Sequence, residues 1–339
     1  MKTWHPSVLE HWFAAARVCD VGSTPLAVTV LNRPLALVRY PNGELAALED
    51  RCPHRQVPLS AGRMTAQGLQ CPYHGWTFAA DGACTAVPGL AAGECLPQAR
   101  ARTVQVCERD GMLWVRLGAQ GKTAPPAMVG ELPPSARKFL GQLKWRAHVI
   151  DAMENFMDPL HTHTVHPGLV RSGRHARAQA TVGLRLTGQG FVVDYQGLEA
   201  QSGWLFRLFE SPRVSEQLVF GGAGSAQIVY RYANGSVVRI TLHFTPETLE
   251  HTHVFTTLHV EQRWAPRWLV HLAVWPFLKQ VARQDAAMLA LQADSRARFA
   301  PARGVVTRLD LVRGILEKIW ETGEPLGPED EIRDLPMLL

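Results

Sequence analysis

The chain has 339 residues, of which 46% are hydrophobic. This is enough for two folded domains and excludes a mainly disordered protein. The formal net charge of +5 does not indicate nucleic-acid binding, because the Lys and Arg residues are scattered and form no basic tract. The chain contains no apolar run of ~18 residues, so the sequence predicts no membrane span. The start shows no signal-type segment and the six cysteines show no disulfide spacing, so we expect a cytoplasmic protein with reduced thiols.

Short apolar runs separated by turn residues fill the first third of the chain. The runs at residues 26–40, 43–50 and 104–118 contain or border Asn-Arg-Pro, Pro-Asn-Gly and Arg-Asp-Gly, which are typical turn sequences. This pattern predicts an all-β domain, which we assign to residues 1–120.

Two short clusters of Cys and His lie in this region, Cys52-Pro-His54 and Cys71-Pro-Tyr-His74. Each cluster contains Pro, which suits a fixed loop between strands. Two Cys and two His suit a Rieske [2Fe–2S] centre, in which two His replace two Cys on one of the irons. Zn²⁺ also binds such a set, but zinc fingers usually place a Cys pair before a His pair, whereas each cluster here has one of each.

The clusters resemble the Rieske domain of bacterial non-haem iron oxygenases. The respiratory-complex kind of Rieske protein has one further Cys in each loop, and here those places hold Val57 and Tyr73. The oxygenase family usually has Gly after the Arg of the first cluster, where this chain has Gln56. Because Gly lets the backbone approach the sulfides, we expect Gln56 to alter the hydrogen bonding and potential of the cluster.

The rest of the chain predicts a linker and a second domain. Gly and Pro are dense after residue 118, and we assign residues 121–135 to the linker and 136–339 to the second domain. Alternating apolar residues predict antiparallel strands at 191–197, 227–246 and 252–264. Helical spacing is present in parts of Trp145 to Pro167, from Trp275 to Phe299, and from Val305 to Trp320. The expected fold class is α+β, an all-β domain followed by an antiparallel sheet packed by helices.

Polar residues are concentrated in the otherwise apolar stretch between Glu154 and His166. Asp158 and His161 share a helical face. Burying unpaired polar groups costs free energy, so we expect this cluster to have a function. Mononuclear Fe(II) favours two His and one carboxylate on one face, with the other positions open for O₂. The alternative is a surface patch of His near a helix end.

The same segment resembles the Asn-x₂-Asp-x₂-His-x₄-His motif of the catalytic domains of Rieske oxygenases. The match assigns Asn155 and Asp158 to the leading pair, and His161 and His166 to the iron ligands. His163 falls off the motif and remains an alternative ligand.

The resemblance also implies a third iron ligand and substrate-pocket residues later in the chain. The third iron ligand of the family is an Asp on a late helix, and Asp285 fits its pattern, with Asp294 as the alternative. In the shorter members a Thr-His pair on a late strand contributes to the substrate pocket. Thr252 and His253 match that pair, although a His at a strand edge is equally compatible.

The resemblance covers nearly the whole chain, and the vanillate O-demethylase-like and dicamba monooxygenase-like group is the most similar. It implies a helix-grip catalytic domain with a Rieske [2Fe–2S] cluster and a mononuclear Fe(II). It also implies a terminal oxygenase that uses O₂ to hydroxylate or demethylate a small aromatic substrate. Scattered Arg residues favour an acidic group on that substrate, among them Arg171, Arg174 and Arg207.

The resemblance further implies partners. Because the chain has no flavin or nicotinamide fingerprint, electrons should come from a separate flavin- or ferredoxin-type reductase. The family forms head-to-tail homotrimers, in which His74 of one subunit would reach Asp158 of the next.

Other functions remain open at this point. The same metals also support ring dihydroxylation, or desaturation of a non-aromatic substrate. An electron-transfer protein would need only the first domain. A carrier of hydrophobic ligands would have no use for Asp158, His161 and His166 together.

Overall fold

The computed structural model describes residues 4–119, 124–125, 136–170, 177, 179–187, 190–197, 211–221, 224–261, 266–299, 304–323 and 332–339. The chain forms two compact units. One comprises Leu9–Pro125 and Thr245–Thr248, and the other comprises Met1–Val8, Pro126–Phe244 and Leu249–Leu339. The N-terminal residues therefore group with the second unit, whereas the sequence assigned them to the first. Most of the predicted linker, 121–135, lies outside the described residues.

The first unit is built from two antiparallel sheets and short 3₁₀ helices, in agreement with the all-β domain that the sequence predicts. The strands are β1 (Phe13–Arg17), β2 (Leu26–Val30), β3 (Arg33–Arg39), β4 (Leu45–Glu49), β5 (Arg63–Thr65), β6 (Gly68–Gln70), β7 (Thr77–Phe78), β8 (Cys84–Ala86), β9 (Thr103–Arg109) and β10 (Met112–Arg116). Six of them form one sheet in the order β1-β10-β9-β4-β3-β2, and the other four form a sheet in the order β5-β6-β7-β8.

Two tight turns explain why the apolar runs of this unit fold into hairpins. Leu31 and Asn32 join β2 to β3 with φ of 52° and 62°, and Asp110 and Gly111 join β9 to β10 with φ of 56° and 78°. Positive φ at both turn residues matches the right-handed twist of the flanking strands.

An eight-stranded antiparallel sheet forms the centre of the second unit, in the order β11-β17-β16-β15-β14-β13-β12-β18. Its strands are β11 (Arg137–Trp145), β12 (Gln179–Thr187), β13 (Gly190–Gln196), β14 (Arg213–Gly221), β15 (Ser225–Tyr232), β16 (Val237–Pro246), β17 (Thr252–Glu261) and β18 (Ile332–Leu338). The α+β class with an antiparallel sheet and helices is confirmed.

The helices of this unit differ in part from the prediction. They are α1 (Val149–Met157), α2 (Thr162–Val165), α3 (Arg267–Arg298) and α4 (Arg313–Glu317), the last continued by a π-helical turn, Lys318–Thr322. Helix α3 begins eight residues before the predicted start. The predicted helix from Val305 is wrong in its first half, because residues 304–312 are not helical and Val305 is 92% exposed. None of the described helices has the length and apolar character needed to cross a membrane.

Candidate metal centres and substrate cavity

Two loops of the first unit carry the Cys–His clusters, one after β4 and one between β6 and β7. Both loops have the same backbone hydrogen bonds, in which the Cys N–H donates to the carbonyl five residues later and the Cys carbonyl accepts from the N–H four residues later. These bonds are Cys52 N to Val57 O, 2.9 Å; Gln56 N to Cys52 O, 2.9 Å; Cys71 N to Trp76 O, 2.8 Å; and Gly75 N to Cys71 O, 3.2 Å. The two loops therefore present one Cys and one His each in an equivalent way.

The Cys and His side chains of these loops differ in their exposure. Cys52 and Cys71 are 1% and 3% exposed and belong to the apolar core. His54 is half-buried and His74 is exposed, and their ring centroids are 4.7 Å apart. The indole of Trp76 stacks on His54 at 4.5 Å. Buried thiols and more exposed imidazoles suit a Rieske cluster, in which Cys binds one iron and His binds the other.

The two thiols suit metal binding. Burial raises the pKa of the Cys52 thiol, the backbone N–H groups of His54 and Arg55 oppose that rise, and the adjacent thiol of Cys71 adds to it. None of the six cysteines, all within described residues, forms a disulfide. Iron binds thiolates and displaces their protons. A bound cluster would therefore hold these two side chains in the deprotonated form that burial otherwise disfavours.

Gln56 adopts a backbone conformation that normally favours Gly. Its φ is 63°, and the equivalent residue of the other loop, Gly75, has φ of 72°. The loop geometry thus demands a left-handed residue at this position, and Gln56 bears a strain that Gly75 avoids.

The second candidate centre joins residues from two separate helical segments. Asp158 ends α1, and its carboxylate accepts hydrogen bonds from the backbone N–H groups of Leu160 at 2.8 Å and His161 at 3.2 Å. This turn directs His161 and His166 toward Asp285 on α3. Asp285 Oδ1 lies 3.4 Å from His161 Nε2 and 2.9 Å from His166 Nε2.

These three side chains form a ligand set for a metal ion. One ligand atom from each lies within 4.8 Å of the others. His166 Nε2 and Asp285 Oδ1 are buried and have no hydrogen-bond partner among the described residues. Leaving such a group unsatisfied costs ~1–3 kcal/mol, which a bound cation would offset. Two His and one carboxylate on one face suit Fe(II) with open positions.

The charges around the set also favour a cation. Burial lowers the pKa of His161, but the neighbouring carboxylates of Asp158 and Asp285 outweigh it and raise that pKa to about 9. Burial raises the pKa of Asp285, but the neighbouring imidazoles of His161 and His166 outweigh it and lower that pKa. A metal ion competes with the proton for this negative field.

Two further side chains orient the imidazoles. Gln284 Oε1 lies 2.8 Å from His166 Nδ1, so that nitrogen donates and Nε2 keeps its lone pair for a metal. Asp158 Oδ2 lies 3.4 Å from His161 Nδ1. Asn155 lies one turn before Asp158, and its Oδ1 is buried. Gln284 was not among the predicted site residues, although its position next to Asp285 was a usable signal.

The structure does not bring the alternative residues to this centre. Asp294 pairs with Arg146 at 2.5 Å, and its side chain is 43% exposed. His163 lies outside the ligand set. Thr252 donates to the carbonyl of Ala147 at 3.0 Å, and the ring of His253 stacks on Phe255 at 4.2 Å. Neither Thr252 nor His253 lines the cavity beside the ligand set, so the expected substrate role has no support here.

A cavity of about 250 Å³ opens beside the ligand set. Apolar side chains from the sheet and from α3 form most of its wall, including Leu218, Ile228, Ile240, Leu258, Val274 and Leu278. Arg213, Glu216 and Tyr230 add a polar section. A concave, mostly apolar site with few polar groups is typical of small-molecule binding. Arg171, Arg174 and Arg207 lie outside the described residues.

Comparison with known families gives two matches. Residues 11–115 match the model of the Rieske [2Fe-2S] domain. Residues 145–319 match the model of the vanillate O-demethylase oxygenase C-terminal domain, which alone covers about half of the chain.

Similar proteins include two demethylases. The dicamba O-demethylase oxygenase component of Stenotrophomonas maltophilia is 35% identical over 158 residues, which are 46% of each chain. Methylxanthine N1-demethylase NdmA of Pseudomonas putida is 32% identical over 194 residues, which are 56% of this chain and 54% of the relative. The chain thus spans about half the length of these curated relatives.

Solved structures match over more of the chain. Dicamba monooxygenase bound to dicamba has a TM-score of 0.77 at 23% identity, covering 92% of this chain and 96% of that one. NdmA of Pseudomonas putida CBB5 with caffeine has a TM-score of 0.75 at 24% identity, covering 92% and 90%. At these identities the likeness shows the shared fold.

Proposed function

Because the chain belongs to the family of Rieske oxygenases whose catalytic domain is of the vanillate O-demethylase type, we propose that it is a terminal oxygenase. Its reaction would be the O₂-dependent hydroxylation or O- or N-demethylation of a small aromatic substrate. The observation that carries this proposal is the ligand set of His161, His166 and Asp285 at the wall of an apolar cavity.

Each residue of the two centres has a distinct part in this proposal. When bound, the [2Fe–2S] cluster supplies single electrons and the mononuclear iron supplies O₂ activation. Cys52 and Cys71 would hold the buried iron of the cluster, and His54 and His74 the outer iron. The three-residue set would hold the single iron, and the apolar cavity wall would pack the substrate beside it and exclude water.

We propose a separate reductase as the electron donor. The relative from Stenotrophomonas maltophilia is described as an oxygenase component, which indicates a system of several proteins. A mildly basic chain, with net charge +5, would attract an acidic donor through interactions that salt screens.

We also propose the head-to-tail homotrimer, with His74 of one subunit against Asp158 of the next. The exposure of His74 and the partial exposure of Asp158, 30% for its side chain, support such a contact. Asp158 also lies beside His161, so it could join a cluster ligand to an iron ligand through one carboxylate. Light scattering of the holoprotein should give a mass of about three chains, and a monomer would contradict this arrangement.

A screen of oxygen uptake tests the proposed activity. The holoprotein is mixed with a matched reductase and a panel of aromatic methyl ethers and N-methyl compounds, and formaldehyde is measured beside O₂ consumption. We expect at least one compound to accelerate O₂ uptake with product formation. The Asp285→Ala variant should keep the visible absorption of the cluster and lose this uptake. Uptake that is unchanged in that variant would contradict the proposal.

A further inference from the structure

A β-bulge at the start of β14 changes the direction of one charged side chain. Arg213 pairs with Tyr232, but the next pair is Ser215 with Arg231, so Val214 is the additional residue of the bulge. The side chain of Val214 is 68% exposed. In a regular strand, residues three apart point to opposite faces, and the bulge brings Arg213 and Glu216 to the same face. Both line the cavity beside the candidate iron ligands.

Arg213 and Glu216 form a buried ion pair in the cavity wall. Arg213 Nη1 donates to Glu216 Oε2 at 2.6 Å, and the two side chains are only 14% and 8% exposed. The guanidinium also lies over the ring of Tyr230, with Cζ 4.3 Å from its centroid. The pair is therefore fixed from two sides and adds no net charge to the cavity.

Resting on the proposed oxygenase function, we propose that this pair selects an uncharged substrate with a hydroxyl, amide or carbonyl group. Such a group can accept a hydrogen bond from a guanidinium and donate one to a carboxylate, or do either alone. A carboxylate or sulfonate has to leave water and approach Glu216, while Glu216 already compensates the positive charge of Arg213. The pair thus discriminates against anionic aromatic compounds.

The pairing of Arg213 narrows the substrate class that the sequence suggested. Scattered Arg residues had favoured an acidic group on the substrate. The described Arg on the cavity wall, Arg213, has a carboxylate as its partner instead. Specificity of this kind depends on the charge that the site already holds, and one substitution should reverse it.

Equilibrium binding to the oxidised holoprotein, without reductase, tests the inference. The probes are 3-methoxybenzamide and 3-methoxybenzoate, which match in shape and differ in charge, and calorimetry gives both dissociation constants. We expect the amide to bind at least ~10-fold more tightly than the benzoate, which is ~1.4 kcal/mol. Equal binding, a preference for the benzoate, or no binding of the amide would overturn the inference.

The Glu216→Gln variant keeps the shape of the pair but leaves the charge of Arg213 uncompensated. It should shift the ratio of the two dissociation constants toward the benzoate by at least ~10-fold. The double variant Arg213→Gln/Glu216→Gln again has no net charge, so it should return to a preference for the amide. Glu250→Gln, an exposed change in the same unit, should leave the ratio unchanged.

An unchanged ratio in folded Glu216→Gln protein would overturn the role of the pair. If that variant fails to fold, the double variant decides, and a benzoate preference there would contradict the inference. These measurements use no turnover, so they are independent of the oxygen-uptake test. A preference for the amide without any O₂ uptake would contradict the proposed reaction. O₂ uptake together with a preference for the benzoate would contradict only the proposed role of the ion pair.

Discussion

At the scale of single residues, the imidazole of His166 depends on one amide. Gln284 accepts from Nδ1 at 2.8 Å, and this contact fixes which nitrogen faces Asp285. Residues that orient a metal ligand in this way commonly change metal affinity by ~10–100-fold. We therefore expect Gln284→Leu to weaken iron binding by about that factor, measured by competition with a chelator.

Two control variants separate orientation from a general structural effect. Gln284→Glu keeps an acceptor for His166 Nδ1 and should retain iron. Gln280→Leu changes an exposed residue one turn earlier on α3 and should also retain it. Wild-type affinity in folded Gln284→Leu protein would show that His166 needs no such partner.

The two cluster loops offer a matched pair of backbone tests. Gln56→Gly should raise the free energy of unfolding by about 0.5–1 kcal/mol, because relief of left-handed strain exceeds the added flexibility of the unfolded chain. Gly75→Ala should lower it, since φ is 72° and the new Cβ would lie 2.9 Å from Pro88 Cγ. Thermal unfolding followed at the cluster absorption measures both. A destabilised Gln56→Gly protein would show that the Gln side chain has a role of its own.

The site residues that belong to a local motif could be predicted from the sequence. The residues that line the cavity could not, because packing of the folded chain determines them. The resemblance to the family motif selected His161, His166 and Asp285, which the structure brings together. The expected pocket residues Thr252 and His253 lie outside the cavity wall, which on β17 is formed by Thr256, Leu258 and Val260. Strand alternation predicts which residues share a face, but not which part of the strand a cavity reaches.

At the scale of elements, an ion-pair network holds α1 against α3 and α4. Asp151 on α1 is 5% exposed and accepts from Arg296 and Arg313. Arg313 also donates to Glu154 at 3.0 Å and to Glu317 at 2.8 Å. Because α1 ends at Asp158, this network helps to position the turn that carries the first iron ligand.

Removing Arg313 should therefore lower the free energy of unfolding. Arg313→Met leaves Asp151 and Glu154 without a partner that they share, and breaking a buried pair in this way costs on the order of 3 kcal/mol. Chemical denaturation of the holoprotein measures this loss. Asp294→Asn breaks the exposed pair with Arg146 and should cost below about 1 kcal/mol without loss of iron. Equal losses in the two variants would contradict the structural role of the network.

Element boundaries could be predicted only where local signals agree with packing. Helical spacing predicted a helix from Trp275, yet α3 begins at Arg267 and includes Pro276, and its first turns place Val270 and Trp275 in a buried cluster with Phe139. The apolar spacing from Val305 predicted a helix that is absent there. Asp310 instead accepts from the backbone N–H and the hydroxyl of Thr307, a local bond that competes with helix formation.

Strand β18 was not predicted at all. It pairs with β12 through residues such as Leu338 and Gln179, which are far apart in sequence. Its segment contains Pro336 and lacks a clear alternation, so nothing local marks it as a strand. A non-local edge pairing of this kind is visible only in the folded chain.

At the scale of the whole molecule, each metal centre lies within one unit, and the proposed function requires electrons to pass between them. Asp158 is the residue that we propose at this step. Asp158→Asn keeps the shape of the side chain but removes the charge-assisted hydrogen bond to an imidazole. We expect both metals and the trimer to persist, while oxidation of the pre-reduced cluster slows by ~10–100-fold in a single turnover. An unchanged rate would show that Asp158 is only a capping residue of α1.

Metal analysis shows whether one chain holds two different iron centres. We expect about three irons and two acid-labile sulfides per chain, since the cluster contributes two irons and the mononuclear site one. Asp285→Ala should lower the iron count to about two while the Rieske absorption persists. A wild-type count of about two irons, or an Asp285→Ala protein that keeps about three, would contradict a mononuclear iron site at Asp285.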